Sequence, residues 1–158
     1  VYGGFNTSLS WKGFDLSAIF AYSIGGYIYN RDITMILHNG SLEGRDWSTE
    51  ILKRWTPDNR NTDGPALSTT TNNWNSASTR FLQNNSYMRL KNLTLSYNLP
   101  KQWISKLSLS SVQVYVQGDN LFTIHRNQGL DPEQGITGIT YYRYPAMRTI
   151  SGGINVSF

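Results

Sequence analysis

Phe14-Asp15-Leu16-Ser17-Ala18-Ile19-Phe20-Ala21-Tyr22-Ser23-Ile24 changes character at every second residue. Phe14, Leu16, Ala18, Phe20, Tyr22 and Ile24 fall on one side, and Asp15, Ser17, Ile19, Ala21 and Ser23 on the other. A period of two is the side-chain period of a β-strand, because successive Cβ atoms point to opposite faces. The first face has the residues of a core. The second is small and polar but almost uncharged, whereas sheet faces and edges exposed to water are usually dotted with Lys and Glu.

The same pattern recurs on both sides of this stretch, and five strands are expected, over residues 5–11, 14–24, 87–99, 112–122 and 148–158. In the third, Leu93, Leu95, Tyr97 and Leu99 oppose Asn92, Thr94, Ser96 and Asn98. In the fourth, Val112, Val114 and Val116 oppose Gln113, Tyr115, Gln117 and Asp119, and in the last Ile150, Ile154, Val156 and Phe158 oppose Thr149, Ser151, Asn155 and Ser157. The last four exceed the usual soluble strand of about 5–6 residues. They suit the roughly 9–11 residues that a tilted strand needs to cross a bilayer. Residues 91–100 and 148–158 each reach about 25 Å at the usual rise and tilt, the height of an outer-membrane apolar band.

Connections alternate in length. Residues 12–13 make a tight turn, and 100–111 make a compact connection with room for a helical turn around Trp103 and Ile104. Residues 25–86 and 123–147 are long excursions. Short turns at one end and long loops at the other are the topology of a transmembrane barrel, with the turns periplasmic and the loops extracellular. A structureless loop as long as 25–86 would argue against the strands that flank it. Partial order is therefore expected there: a helix over 46–55, capped by Asp46, with Trp47, Ile51 and Trp55 on one face and an end at Pro57-Asp58-Asn59. The Ser/Thr/Asn tract 68–78 reads as an exposed, mobile segment.

Composition agrees with a barrel and excludes several other classes. Charged residues make up 15% of the 158, against about 25% in ordinary globular chains. Mean hydropathy is nevertheless −0.42, so polar uncharged residues and aromatics fill the gap. Aromatics at 13% argue against intrinsic disorder. No apolar run approaches the length of a membrane helix. Cysteine is absent, which removes disulfides, thiolate metal sites and Cys nucleophiles. The opening Val1-Tyr2-Gly3-Gly4 has neither an initiator Met nor a signal peptide, so an internal or C-terminal piece of a longer protein is expected.

Several residues carry candidate roles. Trp11, Phe14, Trp103 and Phe158 gather at one end of the strands and Tyr22, Tyr27, Tyr87 and Phe122 near the other, as aromatic girdles do at membrane interfaces. The net charge of +4 does not form a nucleic-acid patch, and no nucleic-acid partner is expected. By simple alternation Arg89, Lys91 and Arg148 point outward above the apolar band, where they would meet lipid phosphate or lipopolysaccharide; a solvated rim is the plainer alternative. His38 and His125 lack metal-ligand spacing, and Asp131-Pro132-Glu133 has no base or nucleophile beside it. No catalytic residue, cofactor or metal is expected. Ser151, Gly153, Val156 and Phe158 form a C-terminal pattern similar to the signal by which outer-membrane barrels engage the barrel assembly machinery.

Five stretches, taken in order, resemble the C-terminal part of SusC-like (RagA-type) TonB-dependent transporters of Bacteroidetes. They are Arg54-Trp55-Thr56-Pro57-Asp58-Asn59-Arg60-Asn61-Thr62, the run from Asn85 to Tyr97, Gly118-Asp119-Asn120-Leu121-Phe122-Thr123, Gly129-Leu130-Asp131-Pro132-Glu133, and Tyr144-Pro145 through Arg148-Thr149 to Phe158. The resemblance implies an all-β antiparallel barrel of about 22 strands in the outer membrane of a Gram-negative bacterium, of which this chain supplies the last five. It also implies a plug domain and a TonB box elsewhere, energy from the TonB complex, and a SusD-like surface lipoprotein that captures glycans or peptides. Trp55, Pro57 and Asn59 are expected to order the first long loop. Gly118 is expected to allow a bulge or close packing, and Asn120 to bond loop backbone. Three alternatives remain: a soluble carbohydrate-binding β-sandwich, a barrel fragment held as a folding substrate of the assembly machinery, and an outer-membrane enzyme dependent on His125.

Overall fold

A computed structural model describes residues 1–38, 42–68, 76–107, 109–127, 129–133 and 137–158. The chain divides into two compact units, one of residues 1–26, 85–132 and 145–158, the other of residues 27–84 and 133–144.

The first unit is one five-stranded sheet. Its strands are β1 (Tyr2–Trp11), β2 (Phe14–Ser23), β5 (Tyr87–Asn98), β6 (Ser111–His125) and β8 (Thr149–Ser157). They lie side by side in that order, every neighbouring pair antiparallel. β1 starts three residues before the periodicity does, and β6 runs three residues past Phe122. Lys12 and Gly13 both have positive φ (47° and 89°), the two-residue turn whose twist matches antiparallel strands. Residues 100–111 hold a short helix α2 (Lys101–Ile104) followed by a 3-10 turn.

Register turns the alternation of single strands into rows across the sheet. Leu9, Leu16, Leu95 and Val116 pair in succession on one face, as do Trp11, Phe14, Tyr97, Val114 and Ile154. On the other face, Ser8, Ser17, Thr94, Gln117 and Ser151 pair in succession. Large side chains of the apolar face are exposed: Leu9 is 67% exposed and Ile150 73%. A soluble sandwich would bury that face against its second layer. No helix among the described residues is long and apolar enough to cross a membrane, which says nothing about strands.

The rows break once. Leu93 pairs with Ala18 and Asn92 with Ile19, but Phe20 pairs with Leu90, so Lys91 is an extra residue in β5. An extra residue reverses the parity of everything beyond it. Arg89, expected on the outward face, therefore shares the polar face with its partners Ala21 and Thr123 and is only 3% exposed. The lipid-rim expectation for Arg89 is overturned for this reason. Opposite the same bulge β6 inserts Asn120 and Leu121, two residues, so its own parity survives.

The second unit has its own small sheet. β3 (Tyr27–Asn30) pairs antiparallel with β4 (Leu82–Asn84) and parallel with β7 (Ile139–Thr140). Helix α1 (Arg31–Ile36) follows β3, its first turn capped by Asn30, whose Oδ1 accepts from the Ile33 N–H at 3.1 Å. Ile28 and Phe81 are fully buried in this unit, and the Tyr29 ring meets Phe81 edge-on at 6.2 Å. The helix expected over 46–55 is a 3-10 segment over Thr49–Lys53, capped by Ser48 rather than Asp46. Three residues per turn and so short a span cannot align Trp47, Ile51 and Trp55. Only Ile51 is buried; the two tryptophans are about 40% exposed. Most of the tract 68–78 lies outside the described residues.

Candidate functional site

The polar face of the large sheet is a hydrogen-bonded surface. Ser10 donates to Asp15 (2.5 Å), and the other Asp15 oxygen accepts from the Asn98 amide (2.7 Å). Higher up, Asp119 accepts from Asn92 (2.8 Å) and from Gln117 (3.2 Å). Asn155 donates to Gln113, which in turn donates to Ser96. Two aspartates are thus each held by neutral donors, at least one of them on an adjacent strand, leaving a wettable wall of amides, hydroxyls and bonded carboxylates.

Above the bulge, Arg89 joins the wall to the loop beyond β6. Its Nη2 lies 2.5 Å from Asp131 Oδ1, and its Nε donates to Thr123 Oγ1 at 2.8 Å. The second Asp131 oxygen accepts from the Ala146 N–H at 2.7 Å. One carboxylate therefore ties two loop segments, around Asp131 and around Ala146, to one strand. The acidic pair in Asp131-Pro132-Glu133, read as a turn without chemistry, contributes an anchor. Alternation counted along β5 could not reveal it, because the bulge decides which way Arg89 points.

Gly118, on the apolar face, makes room for Leu121: a Cβ there would stand 2.6 Å from the Leu121 side chain. Asn120 has φ of 52°, a left-handed conformation that Asn tolerates better than other side chains with a Cβ, and its amide donates to the Met147 carbonyl at 3.2 Å. Two glycines serve as seats for tyrosines. A Cβ on Gly3 would stand 2.9 Å from the Tyr22 hydroxyl, and one on Gly153 would stand 2.7 Å from the Tyr115 hydroxyl.

Trp11, Phe14, Phe122 and Trp103 are all exposed, and Tyr22 partly so. Phe14 packs on Tyr97 with ring centroids 4.4 Å apart. Tyr27 is not at the end of a wall strand; it begins β3 in the second unit. Arg148 is exposed just before β8, and Lys91 is half-buried at the bulge. Ser151 and Gly153 face the polar side and Val156 the apolar side, while Phe158 follows the last strand at 91% exposure.

In the second unit Asn59 donates to the carbonyls of Lys53 (3.1 Å) and Arg54 (3.2 Å), where the 3-10 segment ends. Thr62 donates to the same Lys53 carbonyl, and Trp55 N–H donates to Gly64 at 2.7 Å. A separate cavity of about 390 Å³ is lined by Tyr29, Arg31, Thr34, Met35, Ala77 and Ile139. The Arg31 guanidinium lies 4.8 Å from the ring centroid of Tyr141. Tyr142, at φ 47°, is held by its N–H on Asp32 Oδ1 at 2.9 Å. No reading of the sequence singled out Arg31, Tyr29 or Tyr141. The pairs Tyr27/Tyr29 and Tyr141/Tyr142 were the available signal.

His38 is fully buried, edge-on to Trp47 at 5.2 Å, and His125 Nδ1 lies 2.9 Å from the Asn127 carbonyl. Among the described residues no three His, Cys, Asp or Glu side chains gather as a metal site would require.

No protein-family profile matches the chain. TonB-dependent receptor P3 of Formosa agariphila is 34% identical over 98% of the chain, and TonB-dependent receptor SusC of Bacteroides thetaiotaomicron is 27% identical over 98%. The chain spans only 16% and 15% of the length of those relatives. Among solved structures, the RagAB peptide importer in its closed-closed and open-open states matches at 35% identity with a TM-score of 0.86, over 99% of this chain and 17% of the other. The named relatives are receptors and importers, not enzymes. Over its whole length the chain therefore matches the C-terminal barrel segment of SusC-like, RagA-type TonB-dependent receptors, all-β barrels of the Gram-negative outer membrane, and that membrane is its location.

Proposed function

We propose that this chain forms five consecutive wall strands and two surface loops of an outer-membrane importer, the last five strands of a barrel of about 22. The whole protein takes up glycans or peptides captured with a SusD-like lipoprotein, and draws its energy from the TonB complex. The observation that carries this reading is the sheet itself. Rows of Leu, Val and aromatic side chains stand uncovered on one face, and rows of hydrogen-bonded Ser, Thr, Asn and Gln line the other. Lipid is the solvent that suits the first, and a water-filled lumen the second.

Within that wall, Trp11, Phe14, Tyr22, Trp103 and Phe122 serve as girdle residues at the bilayer interfaces. Lys91 and Arg148 meet headgroup phosphate or lipopolysaccharide. Ser151, Gly153, Val156 and Phe158 present the pattern that engages the assembly machinery. Trp55, Pro57 and Asn59 are scaffold for the first loop. Edges β1 and β8 are continued by other strands of the barrel, since unpaired backbone is not tolerated in lipid.

Fractionation of cells expressing the whole protein tests the reading. It should appear in the outer membrane, migrate differently before and after boiling, co-purify with a surface lipoprotein and import solute only when TonB is present. A protein that is soluble and monomeric without detergent would overturn it.

A further inference from the structure

We infer that the cavity beside Arg31 is a solute subsite, and that it takes a carboxylate carried next to an apolar group, as at the C-terminus of a short peptide. This deepens the importer reading and rests on it. The volume of about 390 Å³ lies in the range of small-ligand pockets, commonly about 300–1,000 Å³. Met35, Ala77 and Ile139 give it apolar walls, and Arg31 gives it one strong donor.

The charge on Arg31 is uncommitted. Among the described residues no carboxylate lies within ion-pairing distance of it; Glu50 pairs with Lys53 and Asp131 with Arg89. Asp32, its neighbour in α1, is occupied with the Tyr142 N–H. What Arg31 has is the face of Tyr141, which orients a guanidinium without neutralising it.

That orientation is built at a conformational cost. Tyr142 occupies the left-handed region, which is unfavourable for a bulky side chain, and the Asp32 carboxylate holds it there. Its ring packs on Tyr141 at 4.3 Å, which sets the surface on which Arg31 rests. Thr34 donates its hydroxyl to the Arg31 carbonyl at 2.7 Å, so that lining hydroxyl is spent within the helix. Of the lining side chains the Tyr29 hydroxyl and the Arg31 guanidinium then remain for a neutral sugar, whose several hydroxyls each need a partner. A carboxylate needs one guanidinium, and the apolar walls accept the adjoining side chain.

The whole protein in detergent is titrated calorimetrically with a short peptide ending in leucine and with its C-terminal amide. The free acid should bind at least about tenfold more tightly than the amide. Arg31→Gln should remove that preference, weakening the acid but not the amide. Ile139→Asp, at an exposed strand position, should weaken the acid while preserving the folded barrel's altered mobility on gels. Equal affinity for acid and amide, or an acid preference that survives Arg31→Gln, would overturn the subsite. Either result in a protein that still resides in the outer membrane and imports solute leaves the importer reading standing; a protein absent from that membrane fails it independently.

Discussion

Arg89 Nη2 and Asp131 Oδ1 lie 2.5 Å apart, with side chains only 4% and 8% exposed. Removing one partner of a buried pair leaves a charge without its counter-ion and typically costs about 3–5 kcal/mol. Asp131→Asn and Arg89→Met should each lower the unfolding temperature of the whole protein in detergent. The double variant Arg89→Met with Asp131→Leu should recover part of the loss. Losses that simply add would show that the two groups do not act as a pair.

Lys91 is the residue whose insertion turns Arg89 to the polar face. Deleting it should send Arg89 toward lipid, where a charge is expensive, by about 2–4 kcal/mol near the bilayer midplane and less toward its interfaces. Assembled barrel recovered from the outer membrane should fall sharply. Replacing Lys91 by Ala keeps the residue count and should leave most of the barrel assembled. Quantitative membrane fractionation distinguishes the two.

Gly153 seats the Tyr115 ring, and a methyl group there would stand 2.7 Å from the hydroxyl. Gly153→Ala should destabilise the β6–β8 pairing by about 1–3 kcal/mol, the usual cost of overpacking. In a Tyr115→Ser background the same substitution should cost much less. If Gly153 acts only through the assembly machinery, the background will make no difference to thermal stability, and only assembly in cells will suffer.

Asn59 closes the end of the 3-10 segment by donating to the carbonyls of Lys53 and Arg54. Asn59→Ala should cost about 1–2 kcal/mol locally, the scale of a lost cap. The expected readout is faster protease cleavage within residues 49–64 on intact cells, with no change in barrel mobility on gels. Unchanged cleavage would show that the turn is held by Thr62 and Trp55 without it.

Much of the wall is legible in the sequence. The alternation of Phe14, Leu16, Ala18 and Phe20 against Asp15 and Ser17 determines which face each residue takes, because a strand has only two. The spacing of Lys12-Gly13 between apolar runs determines a tight turn. What alternation cannot see is a single extra residue. Lys91 looks like any other strand position, yet it reverses Arg89, and with Arg89 the attachment of the following loop. A helix cap also depends on which residue adopts extended backbone just before the first turn, and Ser48 rather than Asp46 does so.

The second unit was the least legible. Arg31, Tyr141 and Tyr142 come together across 110 residues of sequence, the separation of the Asp32 and Tyr142 bond. No local period brings such residues together; the parallel pairing of β3 with β7 does. The sequence by itself determined a strand-built wall with one apolar and one polar face, since those depend only on a period of two. Tertiary structure alone decided where that period slips, which charge is buried, and which cation rests on an aromatic ring. Those depend on pairing between distant segments, where one added residue or one parallel bridge changes what each side chain faces.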